Sequence, residues 1–507
     1  SGTGDDTLHR CTIVFEEDGD YTFTAAFQDL AGNRADYERT DVFTIDRTAP
    51  ELTVSWDNTD SRHDIYYKES RTAVIEILEH NFDPERFRVE AGTERKDGGT
   101  AKETAKARLV LPDWRQEGDR YTASVAFSED GISSLKIEGE DLAGNPAAAY
   151  DSGLFVIDQT PPDLEISGVS HRSANQGEVR PAIRYTDENI EMESLEISLT
   201  GYRNGESGWS GKEHLLADGA ELCLDDLAHT REQDDMYTLK ASVQDLAGNR
   251  SEEQISFSVN RFGSVYTFDE KTERLAGQQG VYFTKQEQEL VITETNVDTL
   301  EFQEIVCNHN GQLRTLEEGV DYTVKEDGGF PGWKQYTYTI GRKNFQEEGS
   351  YILTIYSEDR AGNMSDTGSK GKRLEFAVDK TAPVILASGA EDGGRYRESA
   401  REITLDIQDN LQLEEAVVTL NGERIVYSGA DLAEQDGRLV LRVEGENYWQ
   451  ELSVTARDAA GNTAETLKLR LLVTPNLLVQ LVTNRTLCYS IAGILGLLAA
   501  AAACVLH

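Results

Sequence analysis

The sequence predicts an all-β fold: a tandem series of two-sheet sandwiches in a rod, followed by a C-terminal transmembrane helix. Three observations carry that expectation. The string Asp-x-Ala-Gly-Asn recurs five times, starting at Asp29, Asp141, Asp245, Asp359 and Asp458. Runs that alternate apolar and polar residues flank each copy. The segment from Leu487 to Leu506 is almost wholly apolar and carries no charge.

The final Asn of the motif repeats at intervals of 112, 104, 114 and 99 residues. That period is the size of a small domain, whereas solenoid repeats run ~20–50 residues. Alternation with period two, as in Tyr21-Thr-Phe-Thr before Asp29 or Tyr351-Ile-Leu-Thr before Asp359, marks a half-buried antiparallel strand. Gly and Asn supply the positive φ that a tight connection needs, so strand, motif and following strand read as a hairpin. Three of the second strands leave through the same sequence: Asp46-Arg-Thr-Ala-Pro, Asp158-Gln-Thr-Pro-Pro and Asp379-Lys-Thr-Ala-Pro. Proline cannot extend a ladder, so each strand ends there and a short linker leads on. The resulting division is a truncated domain at 1–47, domains at 48–158, 159–262, 263–378 and 379–474, a juxtamembrane linker at 475–486, and a helix at 487–506. A chain that opens on Ser1 inside half a domain reads as a piece of a longer protein.

Eight residues before the motif Asp stand Tyr21, Tyr237 and Tyr351, the first and last after a Gly-containing turn; Ser133 and Gln450 hold that place in the other two domains. A tyrosine at the start of the penultimate strand, bonding back across the turn, is the tyrosine corner of Ig-like sandwiches. With the paired motifs, the chain resembles the bacterial Ig-like repeats of large surface adhesins and biofilm-associated proteins, over roughly residues 1 to 474. The resemblance implies tandem Ig-like β-sandwich domains in an exported cell-surface stalk. It departs from the pattern at Asn260-Arg-Phe-Gly-Ser, which lacks the Asp and Pro, and at Thr474-Pro475, which lacks the Asp.

Composition points the same way. Asp and Glu number 92 against 49 Lys and Arg, a net charge of −43 that repels nucleic acid. Cys11, Cys223 and Cys307 fall singly in separate domains, so no intradomain disulfide is expected; Cys488 and Cys504 lie in the apolar segment. Twenty apolar residues at ~1.5 Å rise match a ~30 Å hydrocarbon core. A single-pass cell-membrane protein with its repeats outside is the expected location. Flanking charges do not orient the span, since Arg485 precedes it and only His507 follows.

No HExxH, Gly-x-Ser-x-Gly or phosphate loop occurs, and no enzyme activity, catalytic residue or organic cofactor is expected. The one metal expectation is Ca²⁺, which takes ~6–8 hard oxygen ligands at ~2.3–2.6 Å. Three chain segments meet at one end of an Ig-like sandwich, and acids stand on all three. The candidate sets are Asp46, Glu79, Asn81 and Asp141; Asp158, Asp187, Asn189 and Asp245; Glu294, Asn296 and Asp359, with only Asn260 in the linker; and Asp379, Asp409, Asn410 and Asp458. The competing assignment is turn capping, in which each Asp simply bonds its own backbone. The joint at Asn260 is expected to respond least to the ion and to bend most. Trp114, Trp209 and Trp333 offer a sugar-stacking surface, with core or loop packing the alternative. The expected function is a membrane-anchored adhesin-type stalk with an unspecified extracellular protein or glycan ligand. The alternatives are the anchor of an enzyme whose catalytic domain lies upstream, or a carbohydrate-binding array.

Overall fold

The computed structural model describes residues 10–35, 41–94, 108–110, 112–206, 211–213, 219, 221–276 and 280–506. Trp209 lies outside them. The chain divides into two compact units: Ser1–Ser173 with Glu178–Leu227 and Tyr237–Phe257, and Ala174–Gly177 with Ala228–Met236 and Ser258–His507.

In the four complete sandwiches the alternating runs form strands that assemble into pairs of sheets, whereas before Asp29 only Gly19–Tyr21 is strand, paired with Phe43–Ile45. In the first unit, Glu51–Trp56, Arg71–Leu78, Arg120–Phe127 and Arg115–Glu117 form a four-stranded sheet. It packs on a six-stranded sheet that includes Phe87–Glu94, Gly131–Gly139 and Phe155–Ile157. The inward residues of the two faces, among them Ile75, Ile77, Val89, Leu135, Ile137 and Ile157, make one core. Fully burying each such side chain contributes about 1.5–3 kcal/mol. The next sandwich pairs the sheet of Asp163–Ser167, Ala182–Thr186 and Glu221–Cys223 with one containing Leu195–Gly201, Asp235–Gln244 and Arg250–Val259. The second unit repeats the plan twice, with separate cores centred on Ile292, Ile305, Tyr338, Ile355 and Phe376 and on Ile403, Leu405, Val418, Val454 and Leu471.

In all four complete sandwiches a two- or three-residue strand pairs in parallel with the last strand: Tyr66 with Val156, Ala174 with Ser258, Tyr282 with Phe376 and Arg395 with Leu472. The chain thus switches sheets early and covers the edge that the final strand would expose. Tyrosine corners form at Tyr21 and Tyr351. The hydroxyl of Tyr21 donates to the Glu17 carbonyl at 2.8 Å and that of Tyr351 to the Glu347 carbonyl at 2.8 Å. Tyr237 is fully buried, its hydroxyl accepting from the Asn204 amide at 3.2 Å. Gln450 substitutes by donating its amide to the Glu444 carbonyl at 2.9 Å.

Trp114 packs half-buried on Phe82, with ring centroids 5.0 Å apart, and the Trp333 indole donates to Asp235 Oδ1 at 2.6 Å. Both therefore serve packing and loop anchoring. Cys11, Cys223, Cys307 and Cys488 are free thiols. The segment after Pro475 contains a seven-residue helix, Leu477–Thr483, fixed to the last sandwich by Gln480 Nε2 on the Tyr396 carbonyl and by Arg395 Nη2 on the Thr483 carbonyl. A second helix spans Arg485–Leu506. Among the described residues no single helix is long and apolar enough to cross a membrane. The stretch that has the composition is the pair Leu477–Thr483 and Cys488–Ala502, bent by 86°.

Candidate cation sites at the joints

The motif builds an identical hairpin in each sandwich. At Asp141 the carboxylate accepts from the Asn145 backbone N–H at 2.9 Å and from Asn145 Nδ2 at 2.8 Å. Gly144, with φ of +89°, makes the left-handed step that a side chain would strain. The same two bonds recur at Asp245, Asp359 and Asp458. The motif Asn does more than close the turn, because its amide also reaches the incoming linker. It donates to the carbonyls of Asp46 at 3.2 Å, Asp158 at 2.8 Å, Asn260 at 2.7 Å and Asp379 at 3.0 Å. Each joint is therefore stitched by backbone-directed bonds before any ion is considered.

Onto this scaffold three of the four joints bring a trio of acids. Asp46, Glu79 and Asp141 place one carboxylate oxygen each within 4.8 Å of one another; so do Asp158, Asp187 and Asp245, and Asp379, Asp409 and Asp458. Turn capping accounts for part of these groups: the first oxygens of Asp46, Asp158 and Asp379 accept from Thr48, Thr160 and Thr381 N–H at 3.1–3.2 Å. The loop acids cap as well, Glu79, Asp187 and Asp409 accepting from the N–H of Asn81, Asn189 and Leu411 at 2.6, 2.7 and 3.0 Å. Capping thus uses one oxygen of each and leaves the convergence of the three carboxylates as the further feature.

The convergence is costly without a counter-charge. Burial, followed by the charges of Asp46 and Asp141, raises the Glu79 carboxyl above its ordinary range. Burial, with the Asp245 charge behind it, raises Asp158. Asp379 is pushed up to about 6 by burial and then by Asp409 and Asp458, and Asp409 is raised by burial and Asp458. A neutral amide relieves the first two sites: Asn81 Nδ2 donates to Asp46 Oδ2 and Asn189 Nδ2 to Asp158 Oδ2, each at 2.7 Å. The last site has Leu411 at the corresponding place. There Asp379 Oδ2 and Asp409 Oδ1 are buried with no hydrogen-bond partner. Two orphaned carboxylate oxygens, one on a fully buried residue, are a donor set suited to a hard divalent cation.

Two sequence expectations need correction. Glu294 does not join a joint cluster: it points into the core of its sandwich, accepting from Tyr338 Oη at 2.7 Å and Ser357 Oγ at 2.5 Å. The register explains it. Leu78, Thr186, Thr295 and Gln408 each pair with the first residue of the preceding strand, so the residue that follows in each case faces the joint. Those residues are Glu79, Asp187, Asn296 and Asp409; Glu294 lies on the same strand face as Asn296 but two residues deeper, at the place that Ile77, Tyr185 and Ile407 fill in the other cores. Asn410 stays at the joint but turns from the trio, its amide donating to Glu348 Oε2 at 3.4 Å.

One recurrent group escaped the sequence reading. Asp18, Asp130, Asp234 and Glu348 stand three residues before Tyr21, Ser133, Tyr237 and Tyr351. Each accepts linker N–H groups: Arg47 on Asp18 at 3.1 Å, Gln159 on Asp130 at 3.0 Å, Arg261 on Asp234 at 3.0 Å and Lys380 on Glu348 at 2.5 Å. The linker threonines add hydroxyl bonds to Asp18, Asp130 and Glu348. Asn447 does the same for Thr474 at 3.0 Å. The constant offset from the corner residue was the available signal.

No family model matches the chain, and no curated protein sequence matches it. Among solved structures it is similar to a tetra-tandem repeat in the extending region of a large adhesion protein. The identity is 18% and the TM-score 0.34, over 84% of this chain and 100% of that one. The D1–D4 ectodomain fragment of ICAM-5 aligns at 15% identity and a TM-score of 0.26, over 83% of this chain and 99% of that one. The FN1–FN3 domains of chicken CNTN1 align at 12% identity and a TM-score of 0.21, covering 62% and 98%. None of these likenesses carries a function over to this chain.

Proposed function

We propose that this chain is the spacer region of an extracellular, membrane-anchored surface protein of adhesin type, whose joints are stiffened by Ca²⁺. The observation that carries the calcium reading is the recurrence of one acid trio at three linkers, with buried, unpartnered oxygens on Asp379 and Asp409 at the last. A bound ion would link residues on the incoming linker to two loops of the sandwich that follows, restricting the hinge between them. Asp46, Glu79 and Asp141, then Asp158, Asp187 and Asp245, then Asp379, Asp409 and Asp458 would hold it, with backbone carbonyls and water completing the shell. Membrane anchoring rests on the uncharged run Leu487 to Leu506, supported by the exposed apolar side chains of Leu477, Leu478, Ile494, Leu495, Leu497 and Leu498.

Equilibrium dialysis of the whole chain in detergent with ⁴⁵Ca²⁺ tests the joints, and the expected stoichiometry is three ions per chain. Uptake no greater than that of a variant carrying Asp→Asn at 46, 158 and 379 would return the acids to turn capping. Alkaline carbonate extraction of membranes tests the anchor: the chain should stay with the pellet, and release into the supernatant would remove the span.

A further inference from the structure

The joint at Asn260 carries the same scaffold as the other three with different chemistry at its centre. Two of the three acids are amides. Asn260 takes the linker place of Asp46, Asp158 and Asp379, and Asn296 takes the loop place of Glu79, Asp187 and Asp409. Asp359 is the one carboxylate left. Its Oδ2 accepts from Asn260 Nδ2 at 2.6 Å, Asn296 Nδ2 at 3.1 Å and Asn363 Nδ2 at 3.0 Å. The amides also satisfy one another: Asn260 Nδ2 donates to Asn296 Oδ1 at 2.8 Å, and Asn296 Nδ2 to Ser264 Oγ at 2.9 Å. Asn260 Oδ1 caps the Gly263 N–H at 3.1 Å. Asn260, Ser264, Asn296 and Asp359 are buried almost completely. The carboxylate at the Asn81 and Asn189 position, Asp298, has turned away to Arg360 Nη1 at 3.2 Å and Ser258 Oγ at 3.1 Å.

We infer that the pair Asn260 and Asn296 makes this joint a cation-independent lock, in which amide N–H donors occupy the role that a metal ion takes at the other three. The chemistry decides it. A metal ion and an N–H donor both present positive charge to a carboxylate, and they exclude each other at one oxygen. Three amide donors on Asp359 leave that oxygen no lone pair aimed at a metal ion and no net charge to attract one beyond a single carboxylate. Further bonds close the same joint: Gln176 Nε2 donates to Asn363 Oδ1 at 2.7 Å, Arg261 to the carbonyls of Gly177 and Ala228, and Lys370 Nζ to the Phe262 carbonyl at 2.6 Å. The expectation from sequence that this joint bends most is therefore replaced by its opposite: it holds when calcium is withdrawn. The inference rests on the calcium reading for the contrast with the other joints, and on its own hydrogen bonds for the lock itself.

Amide hydrogen exchange on the whole chain, in calcium and in chelator, separates the two. Protection at 379–382 and 458–462 is expected to drop at least tenfold in chelator, while protection at 260–264 and 359–363 stays within twofold. A second arm exchanges the chemistry. Asn260→Asp with Asn296→Asp puts a carboxylate oxygen where an N–H now sits 2.6 Å from Asp359 Oδ2. This variant should bind one more Ca²⁺ per chain than the parent and lose protection at 359–363 only in chelator. Should that variant not fold, Asp158→Asn with Asp187→Asn gives the converse: one ion fewer, and a second joint indifferent to chelator. Loss of protection at 260–264 in the parent on chelation overturns the lock, as does an unchanged ion count in both variants. If the parent binds no calcium and every joint is indifferent to chelator, the calcium reading falls, and the chelator-sensitive fold of the Asn260→Asp, Asn296→Asp variant alone then decides the lock.

Discussion

Replacing Asp379 by Asn should change the sign of its effect with calcium. In chelator the substitution removes two carboxylate–carboxylate contacts of no more than 4.8 Å, to Asp409 and Asp458. At an effective dielectric of ~20 and the full 4.8 Å each repulsion is ~3.5 kcal/mol before protonation and solvent screening are counted. Asp379 already evades part of it by keeping its proton up to about pH 6, and solvent at the joint screens more. The recoverable share at pH 7.5 is about 1–2 kcal/mol, since the new amide can also donate to the two acids as Asn260 does to Asp359. For a sandwich of this size that stabilisation raises the midpoint of its unfolding by ~4–12 °C. In calcium at a hundred times the dissociation constant the parent gains about 2.7 kcal/mol by mass action, and the variant forgoes it. Differential scanning calorimetry of the chain in each condition reads both numbers from the transition of the last sandwich. Asp379→Asn should melt above the parent in chelator and below it in calcium. A variant that melts below the parent in both would show that the carboxylate is a structural acceptor, and the electrostatic account of the trio would be wrong.

The same trio sets a pH dependence. Folded Asp379 titrates at about 6 and the unfolded residue near ~3.9, so between those values the folded chain holds more protons and, without divalent cation, the last sandwich gains stability as pH falls from 7 towards 5. Melting midpoints that fall across that window in chelator would contradict the buried cluster. Asn249→Ala removes amide bonds to the Asp158 carbonyl at 2.8 Å and to Asp245 Oδ2 at 2.7 Å. It should cost about 2–3 kcal/mol by urea unfolding, since the second acceptor is a buried carboxylate, and a loss below ~0.5 kcal/mol would reduce the motif Asn to a turn former. Thiol labelling with peptide mapping should modify the exposed Cys11 and Cys223 in the native chain, while Cys307, buried and with its thiol raised by that burial, reacts only after denaturation.

Much of this was legible in the sequence because the chain repeats. Alternation marks the strands, the motif marks the hairpins, and the spacing puts the linker Asp, loop acid and motif Asp at one end of a sandwich, which holds at three of the four joints. The errors come from counting residues where register decides. In the strand Leu290–Asn296, Glu294 and Asn296 share one face, Glu294 a step deeper against Tyr338 and Asn296 at the end by the joint, and no local pattern tells where the strand end falls. Asn410 follows its acid by one residue, where Asn81 and Asn189 follow theirs by two, and a single step reverses the face. The linker-capping acids, Asp18, Asp130, Asp234 and Glu348, are hidden by composition: in a chain with 92 acidic residues they stand out only once aligned three residues before the corner position. The helix Leu477–Thr483 lay in a stretch read as a linker, and its contacts with Tyr396 and Arg395 are tertiary.

The four joints form one electrostatic series. At each, an almost constant set of backbone bonds holds the linker, so what varies is the balance between carboxylates and the amide donors that answer them. At Asp379 three acids face no loop amide, two oxygens go unpartnered, and the linker acid is driven to about 6. At Asp46 and Asp158 three acids face one loop amide each, from Asn81 and Asn189, beside the motif Asn common to all four joints, and every linker oxygen has a partner. At Asn260 one acid faces amides from Asn260, Asn296 and Asn363. Demand for a cation therefore falls in the order Asp379, then Asp46 and Asp158, then Asn260. The ordering follows from side-chain chemistry at two positions in an otherwise common frame, so exchanging Asp and Asn at the linker and loop places should move a joint along the series without rebuilding the sandwich.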